Sequence, residues 1–242
     1  MGDQTKPLAL VTGGAKRVGR AIVEKLAGAG YDIAFTYLGS EAEANSLVAE
    51  LNARGVNAVA IKADLTRAAE AVDIIRRHVP GDIHVLVNNA SLYTAATLAE
   101  TTLEISRRMM AIHYESPLLL TQLFADRLRS SRGHVINMVD LQVERPVAKY
   151  LPYCASKAAL ANLTLTLARE LAPEVTVNGI APGVVEWPDD YPAEEREKYL
   201  RRVPLIRPGT PGDVAGVVHF LCTEGSYITG QVIRLDGGRS IT

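Results

Sequence analysis

Apolar positions along the chain change period repeatedly, and the changes lay out the elements. Leu8 to Val11 is a short apolar run that stops at Thr12-Gly13-Gly14; from Val18 to Ala29, Ile22, Val23, Leu26 and Ala27 recur at helical spacing. A strand, a glycine-rich turn and a helix are predicted. Ile33 to Tyr37 reads as a second strand, and Ser40 with Glu43 has the spacing of a capping box for a helix running towards Arg54. Ala58 to Ile61, Val85 to Val87, Val135 to Met138, Val175 to Ile180 and Val232 to Leu235 bring the strands to seven, and helical patterns separate most of them. Such alternation predicts an α/β fold, a doubly wound parallel sheet with helices on both faces. No linker, repeat or low-complexity segment interrupts it, so residues 1–242 are read as one domain.

Composition narrows the possibilities without choosing among them. With 242 residues and 48% hydrophobic content the chain can bury a full core. A net charge of -1 supplies no electrostatic reason for a nucleic-acid or membrane-surface partner. No stretch approaches the ~18 apolar residues that span a bilayer. The start, MGDQTKPLALV, lacks a basic segment followed by a long apolar one, and Lys6 stands where a myristoylation signal needs Ser or Thr. Cys154 and Cys222 have neither metal-type nor CxxC spacing; they read as reduced thiols of a cytoplasmic protein, and no metal site is expected.

Candidate chemistry concentrates between Asn137 and Lys157, after an apolar run and at a helix start, where open α/β sheets bind ligands. Tyr153 and Lys157 are four apart, so on a helix they share a face, and the ammonium is expected to lower the phenol pKa from ~10. Taken alone, such a pair is usually an exposed helix face, and Asp140 is more often a turn or capping residue than an acid. The glycine turn, Thr12 to Gly19, follows a strand and opens a helix, so its backbone can approach a pyrophosphate at Gly13, Val18 and Gly19. The tip of the second strand, Thr36-Tyr37-Leu38-Gly39-Ser40, carries no acid for a ribose 2′-hydroxyl. Lys16, Arg17 and Ser40 suit a 2′-phosphate instead, and NADPH is the expected cofactor.

Thr12-Gly13 with Gly19, Asp64-Leu65, Asn88-Asn89-Ala90, Tyr153-x-x-x-Lys157, Asn178 and Pro182-Gly183 together resemble the short-chain dehydrogenase/reductase pattern, in order, across nearly the whole chain. The resemblance implies a Rossmann-type fold of about seven strands and a nicotinamide cofactor. It implies Tyr153 as proton donor and Lys157 as the residue that binds the nicotinamide ribose and lowers the tyrosine pKa. It places Asp64 on adenine, Asn89 and Ala90 along the second ribose, and Leu65, Pro182 and Gly183 on the cofactor. It also implies a homotetramer, with helices around His113 to Leu128 and Tyr153 to Leu171 pairing across two-fold axes; Leu160, Leu163 and Leu167 would either extend that apolar stripe or belong to the monomer core.

Two departures from the wider family are informative. Arg17 replaces a turn glycine, and Asp140 stands where a substrate-polarising serine is usual, thirteen residues before Tyr153. Both resemble the pteridine reductases and their dihydromonapterin reductase relatives, which reduce dihydropterins and often dihydrofolate. That subgroup implies Arg17 on cofactor phosphate and pterin, Ser91 and Asp140 on the ring edge, Tyr93 stacked on the ring, and Asp140 with Tyr153 supplying the proton. A 3-oxoacyl-carrier-protein reductase is the alternative, disfavoured by a carboxylate against a carbonyl oxygen; a catalytically idle NADP-binding protein is the third reading. His113 replaces a family asparagine thought to hold a relay water, and a histidine titrating near neutrality could keep that relay or simply fill a helix contact. Residues 184–202, with Trp187, are expected to form a substrate-side loop and small helix, Trp187 either lining the pocket or anchoring the lid.

Overall fold

Every apolar run read as a strand is one in the computed structural model, which describes residues 6–79, 81–187 and 192–242. The strands are β1 (Leu8–Val11), β2 (Asp32–Tyr37), β3 (Ala58–Lys62), β4 (Val85–Asn88), β5 (His134–Met138), β6 (Thr176–Pro182) and β7 (Val232–Leu235). All pair in parallel, in the order β3-β2-β1-β4-β5-β6-β7. Chain direction across the sheet therefore reverses between β1 and β4, and a ligand crevice lies outside their carboxyl ends.

The runs are continuously apolar because both faces of the sheet are covered, so the two-residue period sorts side chains between two cores rather than between core and water. Ala9, Val11, Ile33, Phe35, Val85, Val87 and Ile136 pack on one face with α1 (Arg17–Gly28), α2 (Glu41–Ala53) and α8 (Pro211–Thr223). Their neighbours Leu10, Ala34, Leu86 and Val135 pack on the other with α3 (Ala68–His78), α5 (Ser116–Ser131) and α6 (Leu151–Glu170). Phe35 and Phe124 are fully buried, one in each core, and rings so placed contribute about 3–5 kcal/mol each when truncated to Ala. α4 (Leu103–Met110) runs into α5 through a π-helical turn, Ala111–Glu115, and α7 (Ala193–Leu200) is the small helix expected on the substrate side.

Two expectations need correction, and one pair of alternatives is decided. Val175 is not in β6: its N–H closes the turn after α6 on Leu171 O at 3.0 Å, and β6 instead extends to Pro182, paired with Leu235. The capping box at α2 does not form. Ser40 makes no side-chain cap, because Glu43 turns to the Lys16 ammonium at 2.6 Å, a charge-assisted bond stronger than one to a neutral amide. A full capping box exists at α8, between Thr210 and Asp213. Leu160 and Leu163 are buried in the monomer and Leu167 packs against the same core, so they do not form an outer stripe.

Candidate active site

The glycine turn after β1 is clamped to the end of β4. Asn89 donates from its side chain to Thr12 O (2.9 Å) and Gly13 O (3.1 Å), while the Asn89 and Ala90 N–H groups donate to Thr12 Oγ1 at 2.9 and 3.0 Å. Gly13 has φ +64°, and its N–H donates to Thr36 Oγ1 at 3.0 Å. A Cβ on Gly19 would lie 2.0 Å from Gly13 O, so position 19 admits only glycine. The first N–H of α1 to find an intrahelical acceptor is that of Arg20, on Lys16 O. The amides of Arg17, Val18 and Gly19 are thus the free donors of a helix N-terminus, a cradle that fits a pyrophosphate.

The cations expected on phosphate are engaged elsewhere. Arg17, at φ +51°, donates from Nε to Glu186 Oε2 at 2.6 Å, and Lys16 holds Glu43. Both pairs are well exposed, so each is worth about 1 kcal/mol or less and can be exchanged for a phosphate. Asp64 Oδ1 accepts from the N–H and hydroxyl of Thr66; burial pushes its pKa up, but those bonds prevail and it is lowered. Leu65 is buried, and its carbonyl accepts from Ser116 Oγ. Gly183, after Pro182 at the end of β6, donates its N–H to Leu235 O at 3.0 Å.

On the substrate side, Asp140 is the capping residue of the two alternatives the sequence left, and its carboxylate also meets Tyr153. It precedes the 3₁₀ turn Leu141–Val143, its Oδ1 accepts from Gln142 N (2.7 Å), and its Oδ2 accepts from the Tyr153 hydroxyl at 2.6 Å. Lys157 is buried below, donating to Met138 O at 2.6 Å, with Nζ 5.8 Å from the Tyr153 ring centroid. Burial lowers its pKa to about 8, against the opposing pull of Asp140.

Here the expectation that Lys157 lowers the Tyr153 pKa is overturned. Burial first, and then the Asp140 carboxylate that accepts its proton, push the phenol well above its ordinary value. Lys157, its Nζ 5.8 Å from the Tyr153 ring centroid, does not offset them. Tyr153 is therefore held as a protonated donor, not poised between two states.

The loop after β4 is drawn to the start of α6 by the Ala96 N–H bond to Lys149 O (2.7 Å), with Lys149 at φ +70°. This stacks Tyr93 on Tyr150 at 4.2 Å and puts its ring edge-on to Tyr153 at 4.7 Å. Ser91 reaches His113, not open space: Ser91 Oγ to Nε2 is 2.8 Å. His113 Nδ1 meets Ser156 Oγ, also at 2.8 Å, and that hydroxyl spends its proton on Tyr153 O. Nδ1 must then carry the imidazole hydrogen and Nε2 must accept, from Ser91 and from Leu92 N–H at 3.4 Å. The neutrality-titrating relay is thereby corrected: burial, and next the charge of Lys157, lower the His113 pKa to about 2. As a fixed neutral tautomer it holds Ser91 and Ser156, and Ser156 in turn holds the Tyr153 carbonyl.

Trp187 packs edge-on against Tyr199 of α7 at 5.3 Å, the anchoring alternative. Residues 188–191 of the expected lid lie outside the described residues. Gln142, Tyr150, Ser156 and Glu186 join the site without having been singled out. Ser156 adjoins Lys157 and Tyr150 is one turn before Tyr153, which was signal enough; nothing local marks Glu186, 169 positions from its partner. Among the described residues no helix is long and apolar enough to cross a membrane, and no three His, Cys, Asp or Glu side chains group as metal ligands.

Comparison with known proteins brings the same residues into a wider setting. The sequence family described as Enoyl-(Acyl carrier protein) reductase matches residues 13–240. Pteridine reductase 1 of Leishmania tarentolae is 36% identical, over 98% of both chains. A 3-oxoacyl-(acyl-carrier-protein) reductase of Staphylococcus epidermidis is 32% identical over 95% of this chain and 97% of its own. Among solved structures, a blue fluorescent protein from a metagenomic library, in complex with NADPH, superposes with TM-score 0.91 at 36% identity, covering 96% and 97% of the two chains.

Proposed function

The chain belongs to the short-chain dehydrogenase/reductase family and is an NADPH-dependent oxidoreductase; from that premise we propose that it reduces a C=N bond of a pterin, taking a dihydropterin or dihydrofolate to the tetrahydro form. The observation that carries the reading is the Asp140 carboxylate, 2.6 Å from the hydroxyl of Tyr153, whose ring Tyr93 meets edge-on at 4.7 Å. A pterin edge offers N–H donors to a carboxylate, and its flat ring matches an aromatic face. A ketone or thioester carbonyl offers Asp140 only a repelled oxygen. Relatedness to the 3-oxoacyl reductases, at 32% identity, keeps that carbonyl chemistry as the competing reading.

Bound at the glycine turn, NADPH supplies a hydride to the imine carbon. Gly13, Val18 and Gly19 would hold its pyrophosphate, Lys16, Arg17 and Ser40 its 2′-phosphate side, Asp64 and Leu65 the adenine end, and Asn89, Ala90, Lys157, Pro182 and Gly183 the nicotinamide half. The imine nitrogen needs a proton at the same time. Asp140 and Tyr153 act as one donor: the N–H bond forms as the Tyr153 O–H bond breaks, the proton passing directly or across the 2.6 Å bond through Asp140 Oδ2, and solvent then returns a proton to Tyr153. Tyr93 and Ser91 hold the ring, and Arg17 reaches it once Glu186 releases the guanidinium. The protein is further read as a cytoplasmic homotetramer, for which light scattering at micromolar concentration should give four chains; a monomer contradicts it. For the reaction, NADPH oxidation is followed by its absorbance with dihydrobiopterin, dihydrofolate and acetoacetyl thioester. Turnover of either of the first two is expected; turnover of the thioester alone hands the site to the carbonyl-reductase reading, and none at all to the idle one.

A further inference from the structure

Gln142, two residues beyond Asp140, touches three groups of the site. Its N–H donates to Asp140 Oδ1 at 2.7 Å, its Nε2 donates to the Tyr93 hydroxyl at 2.9 Å, and its Oε1 accepts from Cys154 Sγ at 3.5 Å. The thiol contact sets the amide's orientation, oxygen towards Cys154 and nitrogen towards Tyr93. Tyr93 has one face on Tyr150 and an edge on Tyr153, and the ring is still 53% exposed. Stacking tolerates sliding. A hydrogen bond at the phenol oxygen, the point farthest from the backbone, pins the tip of the ring, while the stack on Tyr150 sets its plane.

We infer that Gln142 is a positioning residue that locks the Tyr93 ring at a set angle to the Asp140 carboxylate, and so selects flat heterocycles over flexible substrates. The inference rests on the proposed pterin reaction, with Tyr93 as platform and Asp140 as edge acceptor. One residue holds both groups, by its side chain and its own backbone. A planar substrate must meet platform and carboxylate together, so a fixed angle between them is an advantage only for a ring. An acyl chain, which can bend to satisfy either alone, gains nothing from it. The platform touches ground state and transition state alike, so its loss is read in KM.

The test is a double-mutant cycle of wild type, Gln142→Met, Tyr93→Phe and the double variant. Methionine keeps the length and bulk of Gln142 without a donor; phenylalanine keeps the ring without an acceptor. Each single variant should raise KM for dihydrobiopterin about 3–10-fold with kcat little changed, the loss of one neutral hydrogen bond. The double should be clearly milder than the product of the two singles, since both remove the same bond. NADPH affinity, measured by fluorescence, should not move in Gln142→Met. The same four proteins melted without ligand should show the same non-additivity in Tm. Multiplying KM effects, an unchanged KM in Gln142→Met, or additive Tm shifts would overturn the inference while leaving the pterin reaction standing. A wild type that ignores dihydropterins yet shows non-additive melting would overturn the pterin reading, and with it the selection for flat substrates.

Discussion

Acid should unfold this protein partly through one histidine, and the size of the effect follows from where His113 sits. Its pKa is lowered to about 2 in the folded chain, by burial and then by Lys157, against ~6.5 for an unfolded histidine. Between those values the unfolded state binds a proton that the folded state refuses. Stability is therefore complete above pH ~6.5 and is lost as pH falls, by about 1.4 kcal/mol per unit. At pH 5 the loss from His113 alone is about 2 kcal/mol, a large share of a typical 5–15 kcal/mol. His113→Asn retains an amide for Ser91 and Ser156 and cannot titrate. Urea unfolding of both proteins between pH 7.5 and 4.5 separates this histidine from the rest, because His84 and His134, whose pKa values burial also lowers, are common to both and cancel. The stability advantage of wild type over the variant should shrink by about 2 kcal/mol from pH 7.5 to 5. A difference that stays constant over that range would refute the neutral-tautomer argument.

Three further outcomes are expected. Asp140→Ser should cut dihydropterin turnover at least ~10-fold, the cost of a charged hydrogen bond, and Tyr153→Phe should cut it by ~10²–10⁴, both measured as initial rates. Glu186→Gln should tighten NADPH binding by up to about 5-fold at low salt, since the Arg17–Glu186 pair that a phosphate must displace is worth at most ~1 kcal/mol; the gain should vanish near 1 M salt, and weaker binding would contradict it. NADPH should bind at least ~10-fold tighter than NADH by fluorescence titration, and Lys16→Ala should narrow that ratio, whereas equal affinities would remove the 2′-phosphate argument.

The sheet was legible because strands buried on both faces carry apolar residues without interruption, and the turn that follows β1 declares itself by its glycines. What the sequence conveyed poorly was the state of charges. Tyr153 and Lys157 have the spacing for the ammonium to act on the phenol, but spacing does not reveal that Lys157 donates to Met138 O while the Asp140 carboxylate accepts the phenol's hydrogen bond and raises its pKa. Ser40 and Glu43 satisfy a capping pattern, yet a nearby Lys16 wins the carboxylate. Arg17 is visible in the turn, and its partner is not, since Glu186 reaches it only after β6 has crossed the sheet. His113 read as a titrating group because its neighbours, Ser91 and Leu92 after β4 and Ser156 on α6, come from two segments far from it in sequence.

The π-helical turn at Ala111–Glu115 works as a phase shifter. Upstream of it, Met109 must face Tyr153 and Cys154; downstream, Leu120, Phe124 and Leu128 must face the sheet. An unbroken α-helix cannot point both sets correctly, and the wider turn rotates one against the other by taking in an additional residue. Deleting a single residue there would restore the tighter winding and force one set off its partners. The three fully buried side chains of α5 have far more to lose than Met109, so the helix would keep its grip on the sheet and swing His113 away from Ser156. Such a deletion should yield a folded chain with a disabled site, which makes the length of this turn, rather than any one side chain in it, what keeps the two ends of the helix in register.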